Sequence, residues 1–211
     1  MIIYNGKDSF NSFGLYPASK EIPSPVRKIV TDTVPYMSGL WDFSQDEYEP
    51  IKIKYTFDVI GENKRDLNAQ KNRLLEWINI PSADGRLYDT DISAENYFSV
   101  YNAVASWSEE DLQGLLTAEF TCYPFMKTPE TEITKRLSST ASDVSINVSG
   151  VRSIYPIITV SSSAQITYDG VTYTFTAGTF DSAFKIAAGE NTLSVKGSGN
   201  LTLKYWGESF C

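Results

Sequence analysis

The sequence predicts a mainly β protein built from two successive domains, the first carrying one helix. Three observations support this. Residues 51–60 alternate, with Ile51, Ile53, Tyr55, Phe57 and Val59 in one phase and Lys52, Lys54, Thr56 and Asp58 in the other, the pattern of a strand buried on one face. Helical periodicity occurs in one stretch, about residues 63–80. Beyond residue 142 no helical period recurs, and Ile166-Thr-Tyr168 and Val171-Thr-Tyr173 flank Asp169-Gly170, a strong signal for a two-residue hairpin turn. An aromatic content of 13% also leans towards strands.

From the N-terminus, residues 1–60 interleave short extended runs with breakers: Phe13-Gly-Leu-Tyr-Pro17, Ile22-Pro-Ser-Pro25 and Val34-Pro-Tyr36. Prolines at these intervals exclude helix and disfavour central strands, so edge strands and a long exposed loop are expected before residue 51. In the helical stretch Asn63 is placed to cap, Asp66 lies near the positive end of the dipole, and Leu67, Leu74, Leu75 and Ile78 form the apolar stripe before Pro81. Ser82-Ala-Asp-Gly85 reads as a turn. Strands follow at Arg86–Tyr88, Tyr97–Tyr101 and Leu115–Tyr123, so the first domain is a β-sheet or open barrel with the helix packed on it.

Between Lys127 and Ser142 the composition turns to Thr, Ser, Pro and charge. The expected layout is therefore an N-terminal domain over 1–127, a linker over 128–141 and a β-sandwich over 142–211. In the sandwich, Leu193-Ser-Val195 and Leu201–Tyr205 are expected to flank a second hairpin turn at Gly197-Ser-Gly199.

The residue inventory restricts the chemistry. There are no histidines, which excludes His-based proton shuttles, Ser-His triads and His-containing zinc sites. Cys122 and Cys211 are too few for a disulfide framework and read as thiols. No Asp-x-Asp-x-Asp-Gly calcium loop occurs, and Gly197-Ser-Gly199 lacks the lysine and strand-to-helix context of a phosphate loop. The acidic pairs Asp46-Glu47 and Glu109-Glu110-Asp111 read as solvated turns rather than a glycosidase pair. Trp206 and Tyr205, on the last expected strand, are the candidate carbohydrate contacts, although aromatics on a sandwich strand are more often core. No catalytic, cofactor-binding or metal-binding residue emerges, and a non-enzymatic protein without a cofactor is expected.

A formal net charge of −8 argues against a surface that holds phosphate backbones. The acidity is concentrated early: residues 1–127 hold 12 Lys/Arg against 19 Asp/Glu, and the remainder 6 against 7. Neither a signal segment nor an apolar run of membrane-spanning length is present, so no membrane association is expected.

The order of Ile22-Pro-Ser-Pro-Val-Arg27, Val34-Pro-Tyr-Met-Ser-Gly-Leu-Trp-Asp-Phe-Ser44, the strand at 51–60 and the helix ending Leu74-Leu-Glu-Trp-Ile78 resembles the N-terminal domain of siphophage distal tail proteins. Tyr88 to Trp107 and Leu115 to Lys127 continue the resemblance over about the first 127 residues. Many relatives carry a Pro-Gly-Arg-Asp-Gly type turn where this chain has Pro35-Tyr-Met-Ser-Gly39. The resemblance implies a ring-forming domain followed by a galectin-like β-sandwich, here without the histidine of the galectin sugar site. It further implies a hexameric ring in the phage tail tip or baseplate, made in the cytoplasm of the bacterial host. Its implied partners are the tail-tube protein, a tail-associated hub or fibre protein and a receptor-binding protein, with DNA passing as cargo along a channel lined by the acidic excess. The alternatives are a carbohydrate-binding adhesion module using Trp206 and a carboxylate-dependent wall hydrolase.

Overall fold

The computed structural model describes residues 1–29, 31–32, 41–42, 47–181 and 183–211. The Pro35–Gly39 turn, Asp46 and most of the Val34–Ser44 motif lie outside the described residues. The chain is mainly β, as expected. It divides into two compact units, residues 1–126 and 127–210.

In the first unit, β1 (Ile2–Tyr4) and β2 (Lys7–Asp8) form a hairpin through Asn5-Gly6, both left-handed at φ 54° and 67°. Helix α1 (Ser9–Phe13) follows directly, with the Asp8 side chain accepting from the Phe10 and Asn11 amides and Gly14 closing it in the left-handed region. Five residues have no readable period, so this helix is silent in the apolar pattern. Strand β3 (Ser19–Glu21), the short pair β4 (Thr31–Asp32) and β5 (Trp41–Asp42), and β6 (Ile51–Ile60) come next. Helix α2 (Lys64–Asn79) is capped by Asn63, whose side chain accepts from the Asp66 amide. Strands β7 (Arg86–Asp89), β8 (Tyr97–Glu110) and β9 (Gln113–Lys127) complete a sheet of order β2-β1-β7-β8-β9-β6-β3.

That sheet curls. Although β7 and β3 stand four places apart, Lys20 on β3 and Tyr55 on β6 both reach Asp89 on β7, and Tyr4 on β1 meets the Phe120 ring edge-on at 5.0 Å. Inside the curl lie Ile53, Tyr55, Phe57, Leu116, Phe120 and the apolar side of α2. On α2 the buried residues are Leu67, Leu74, Trp77 and Ile78. Trp77 thus joins the stripe, and Leu75, expected there, is half-buried. The indole N–H of Trp77 donates to the Tyr4 carbonyl at 2.7 Å, which lets a large ring be buried without an orphaned donor. Along β8 the inward set changes phase: Val100 packs on the core, and so do Ala103, Ala105 and Trp107. An odd step of this kind is what an extra residue in one strand produces.

The second unit holds two four-stranded sheets. One has the order β10 (Thr131–Arg136), β17 (Asn200–Tyr205), β12 (Ile157–Val160), β15 (Gly178–Phe180); the other β11 (Ser142–Val148), β16 (Gly189–Ser198), β13 (Ser163–Tyr168), β14 (Val171–Phe175). Side chains from both sheets, among them Ile146, Ile158, Ile166, Leu193, Val195, Leu201 and Leu203, form its core. The Asp169-Gly170 turn joins β13 to β14 with φ of 48° and 75°.

Two expectations are corrected here. Residues 131–136, within the stretch read as linker, form β10, paired with β17 from Thr131↔Tyr205 to Arg136↔Asn200. Its Thr-rich composition suits a strand edge as well as a loop. Gly197-Ser-Gly199 is no hairpin turn, because β16 and β17 belong to different sheets. The chain changes sheet there, and a Cβ on Gly197 would lie 2.2 Å from the Ser163 carbonyl oxygen, so only glycine permits the close passage.

Candidate assembly surface

The β8–β9 hairpin is fastened along α2 at its tip. Gly114 has no side chain, and the Trp107 ring lies where one would be: a Cβ there would come within 2.1 Å of the indole. The indole N–H donates to Glu109 at 3.0 Å, and Lys64 and Lys71 approach the same carboxylate at 3.8 and 3.9 Å. Trp107, then Lys71 and Lys64, hold the Glu109 carboxyl below the usual carboxylate range. Lys64 also donates to the Asp111 carbonyl, and the Gly61 amide to that of Leu112. The Glu109-Glu110-Asp111 run is therefore a hairpin end with its first carboxylate paired.

Two surfaces of the first unit carry exposed apolar side chains beside charged groups that have no ion-pair partner among the described residues. On β6 the inward residues Phe57 and Val59 are buried, whereas Asp58 and Ile60 face away from the core, and Ile60 is 72% exposed. Across the register Asp58 pairs with Leu115 and Ile60 with Gln113, so Leu115, 40% exposed, stands on the same outer face. Glu110 lines the shallow depression beside Asp58 and Leu115.

The other surface is a groove of about 250 Å³ between α1 and α2, lined by Phe13, Leu15, Asp66, Gln70, Arg73 and Leu74. Phe13 packs on Trp77 with ring centres 4.8 Å apart and planes tilted by 34°, which anchors it. Lys7 and Arg73 each stand over the Phe13 ring, at 5.8 and 5.9 Å from its centre. Nearby on the chain, the exposed rings of Phe10 and Tyr16 pack on each other at 4.5 Å. Asp66 is occupied by the Glu62 amide and the Gln70 side chain.

The sequence-chosen residues fall elsewhere. Tyr205 is buried in the second core and presents no open ring face. Trp206 is half-buried, with the Lys127 ammonium 4.5 Å from its ring centre. Glu47 pairs with Lys28 at 3.3 Å. Among the described residues no group of three or more Cys, Asp or Glu side chains is placed to hold a metal ion, and no helix is long and apolar enough to cross a membrane. Asp58, Ile60, Leu115, Lys7 and Arg73 were not singled out from sequence. Ile60 and Leu115 did leave a signal, as apolar residues at positions whose neighbours in phase are polar.

No protein-family model and no curated protein matches the sequence. The fold itself has a match: the crystal structure of the Dit protein of SPP1, described as a paradigm of the hub adsorption apparatus in phages infecting Gram-positive bacteria, aligns with a TM-score of 0.65 over 98% of both chains. The chain has a Dit-like fold. Sequence identity to SPP1 Dit is 14%, so what the two share is architecture along the whole length rather than a set of side chains.

Proposed function

We propose that this protein is a structural subunit of a phage tail, a ring-forming hub at the tip or baseplate that joins the tail tube to host-recognition components. The observation that carries the reading is the correspondence with SPP1 Dit, a hub protein, over 98% of each chain, since a match of that extent takes in both compact units. A residue inventory without histidine suits a part that works by shape and association.

Within this reading the N-terminal unit forms a ring of six copies. The C-terminal unit is a galectin-like sandwich offering attachment points to a fibre or receptor-binding protein, and the acidic excess of residues 1–127 faces the channel, where like charge keeps passing DNA from sticking. The protein then belongs to the virion. The carbohydrate-binding alternative is less well supported, because one of its two aromatics is in the core and the other lies under a lysine.

Antibodies against the chain test the reading on phage particles produced by the host that carries this sequence. Gold label at one end of the tail is expected. Label on heads, along the whole tail or on cell walls alone would contradict it.

A further inference from the structure

We infer that Asn5-Gly6 is a deamidation site that the native fold holds shut, and that it opens when the β1–β2 hairpin leaves the end of α2. Asn5 is the only asparagine of the chain that is followed by glycine. In that dipeptide the attacking atom is the glycine amide nitrogen, which no side chain shields. The nitrogen adds to the side-chain carbonyl carbon of Asn5, its proton is lost and ammonia leaves, closing a succinimide ring. Water then opens the ring to aspartate or isoaspartate. No other reactant is needed.

The structure holds the Asn5 side chain away from that attack. Its amide nitrogen donates to the Trp77 carbonyl at 3.1 Å and to the Ile80 carbonyl at 2.7 Å, two acceptors for its two hydrogens. The first of these bonds has a cause in the sequence. In a continuing helix the Trp77 carbonyl would receive the N–H of residue 81, which is Pro81 and has none, so the last turn of α2 lacks a donor and Asn5 supplies it. The backbone is fixed as well. Asn5 and Gly6 are both left-handed, at φ 54° and 67°, between the paired residues Tyr4 and Lys7. Ring closure needs the side chain to swing to the Gly6 nitrogen, and bonds to α2 prevent it.

The reaction also destroys the clasp that guards it. An aspartate at this position turns carboxylate oxygens, which only accept, towards two carbonyl oxygens. An isoaspartate adds a backbone atom to a two-residue turn and takes Tyr4 and Lys7 out of register. The Tyr4 carbonyl, which receives the Trp77 indole N–H at 2.7 Å, lies one residue away. A hairpin that reacts while detached therefore does not seat again, and the damage falls on β1, which pairs with β7. None of this depends on how copies of the chain assemble.

Peptide mapping by mass spectrometry tests it on the full chain, kept in mildly alkaline buffer with and without denaturing guanidinium. Conversion at Asn5 is expected to be at least tenfold slower in buffer than in denaturant. Trp77→Phe keeps an apolar ring and loses the bond to Tyr4, so the hairpin opens more often and conversion in buffer is expected to speed up. Asn5→Asp is expected to melt below Asn5→Ala, because alanine only removes the clasp whereas aspartate sets a charge against two carbonyls. Native protein that converts at Asn5 as fast as the unfolded chain would overturn the closed site, and this comparison stands whether or not the variants fold. A folded Trp77→Phe chain that reacts no faster than wild type would overturn the role of the hairpin, and an Asn5→Asp chain as stable as wild type would overturn the one-way step.

Discussion

The hydroxyl of Tyr55 donates to the Asp89 carboxylate at 3.0 Å inside the first unit, and Lys20 reaches the same oxygen at 3.4 Å. This contact ties β6 and β3 to β7 across the curl of the sheet. Asp89 has a side chain 1% exposed, and its oxygens are met by those partners and by the Asp91 amide in place of water. Tyr55→Phe is expected to cost about 1.5–3 kcal/mol, the scale of a hydrogen bond to a charged acceptor. Asp89→Ala, which strands the tyrosine hydroxyl and leaves Lys20 with Asp91 alone, is expected to cost more. Urea denaturation of the two variants beside wild type gives the comparison.

The same network sets an alkaline limit. Burial, then the Asp89 charge, pushes the Tyr55 hydroxyl above the ordinary tyrosine value. For Lys20, burial pulls the ammonium down, but Asp89 and Asp91 outweigh it and hold it above the ordinary lysine value. Groups raised in the folded state contribute stability that is fully present below their unfolded values, about pH 10 for both, and lost as pH rises through the folded ones. The urea midpoint is therefore expected to be insensitive to these groups at pH 9 and to fall above about pH 10, less steeply in Tyr55→Phe.

Glu109 works in the opposite direction. Its carboxyl is held low by Trp107, Lys71 and Lys64, so its contribution is present above the unfolded glutamate value and lost as pH falls through the folded one. The protection factor of the Gly61 amide, which donates to the Leu112 carbonyl, is expected to fall on acidification in wild type. In Glu109→Gln it is expected to be lowered already at neutral pH.

Gly114→Ala tests the seat of Trp107. A methyl group 2.1 Å from the ring forces the indole off β9, and overpacking of this kind costs about 1–3 kcal/mol. The expected signature is a lower melting temperature with a red-shifted tryptophan emission.

Burial pushes the Cys122 thiol up to about 12, and its residue is fully buried, whereas Cys211 is exposed. A thiol reagent near neutral pH is expected to titrate one thiol in the native protein and two after unfolding.

How far the sequence could be read follows from the range of each signal. Strand β6 runs from Ile51 to Ile60, the stretch read from alternation, and α2 starts after its Asn63 cap, because period and capping are local properties. Helix α1 escaped because five residues held by Asp8 and Gly14 make no period. The sheet change at Gly197-Ser-Gly199 resembles a hairpin turn in composition, and what separates them is which strands β16 and β17 join, a tertiary fact. The candidate surface divides in the same way. Ile60 and Leu115 stand out of phase in their strands and were visible in principle. The groove exists only because the Phe13 ring reaches Trp77, and no spacing along the chain announces that.

The central claim, a ring-forming tail hub, is most directly tested by the native mass of the purified chain together with electron microscopy of the same sample. Closed rings of six copies, single or stacked in pairs, are expected. A monodisperse monomer that persists at high concentration, with no rings in the images, would contradict the account.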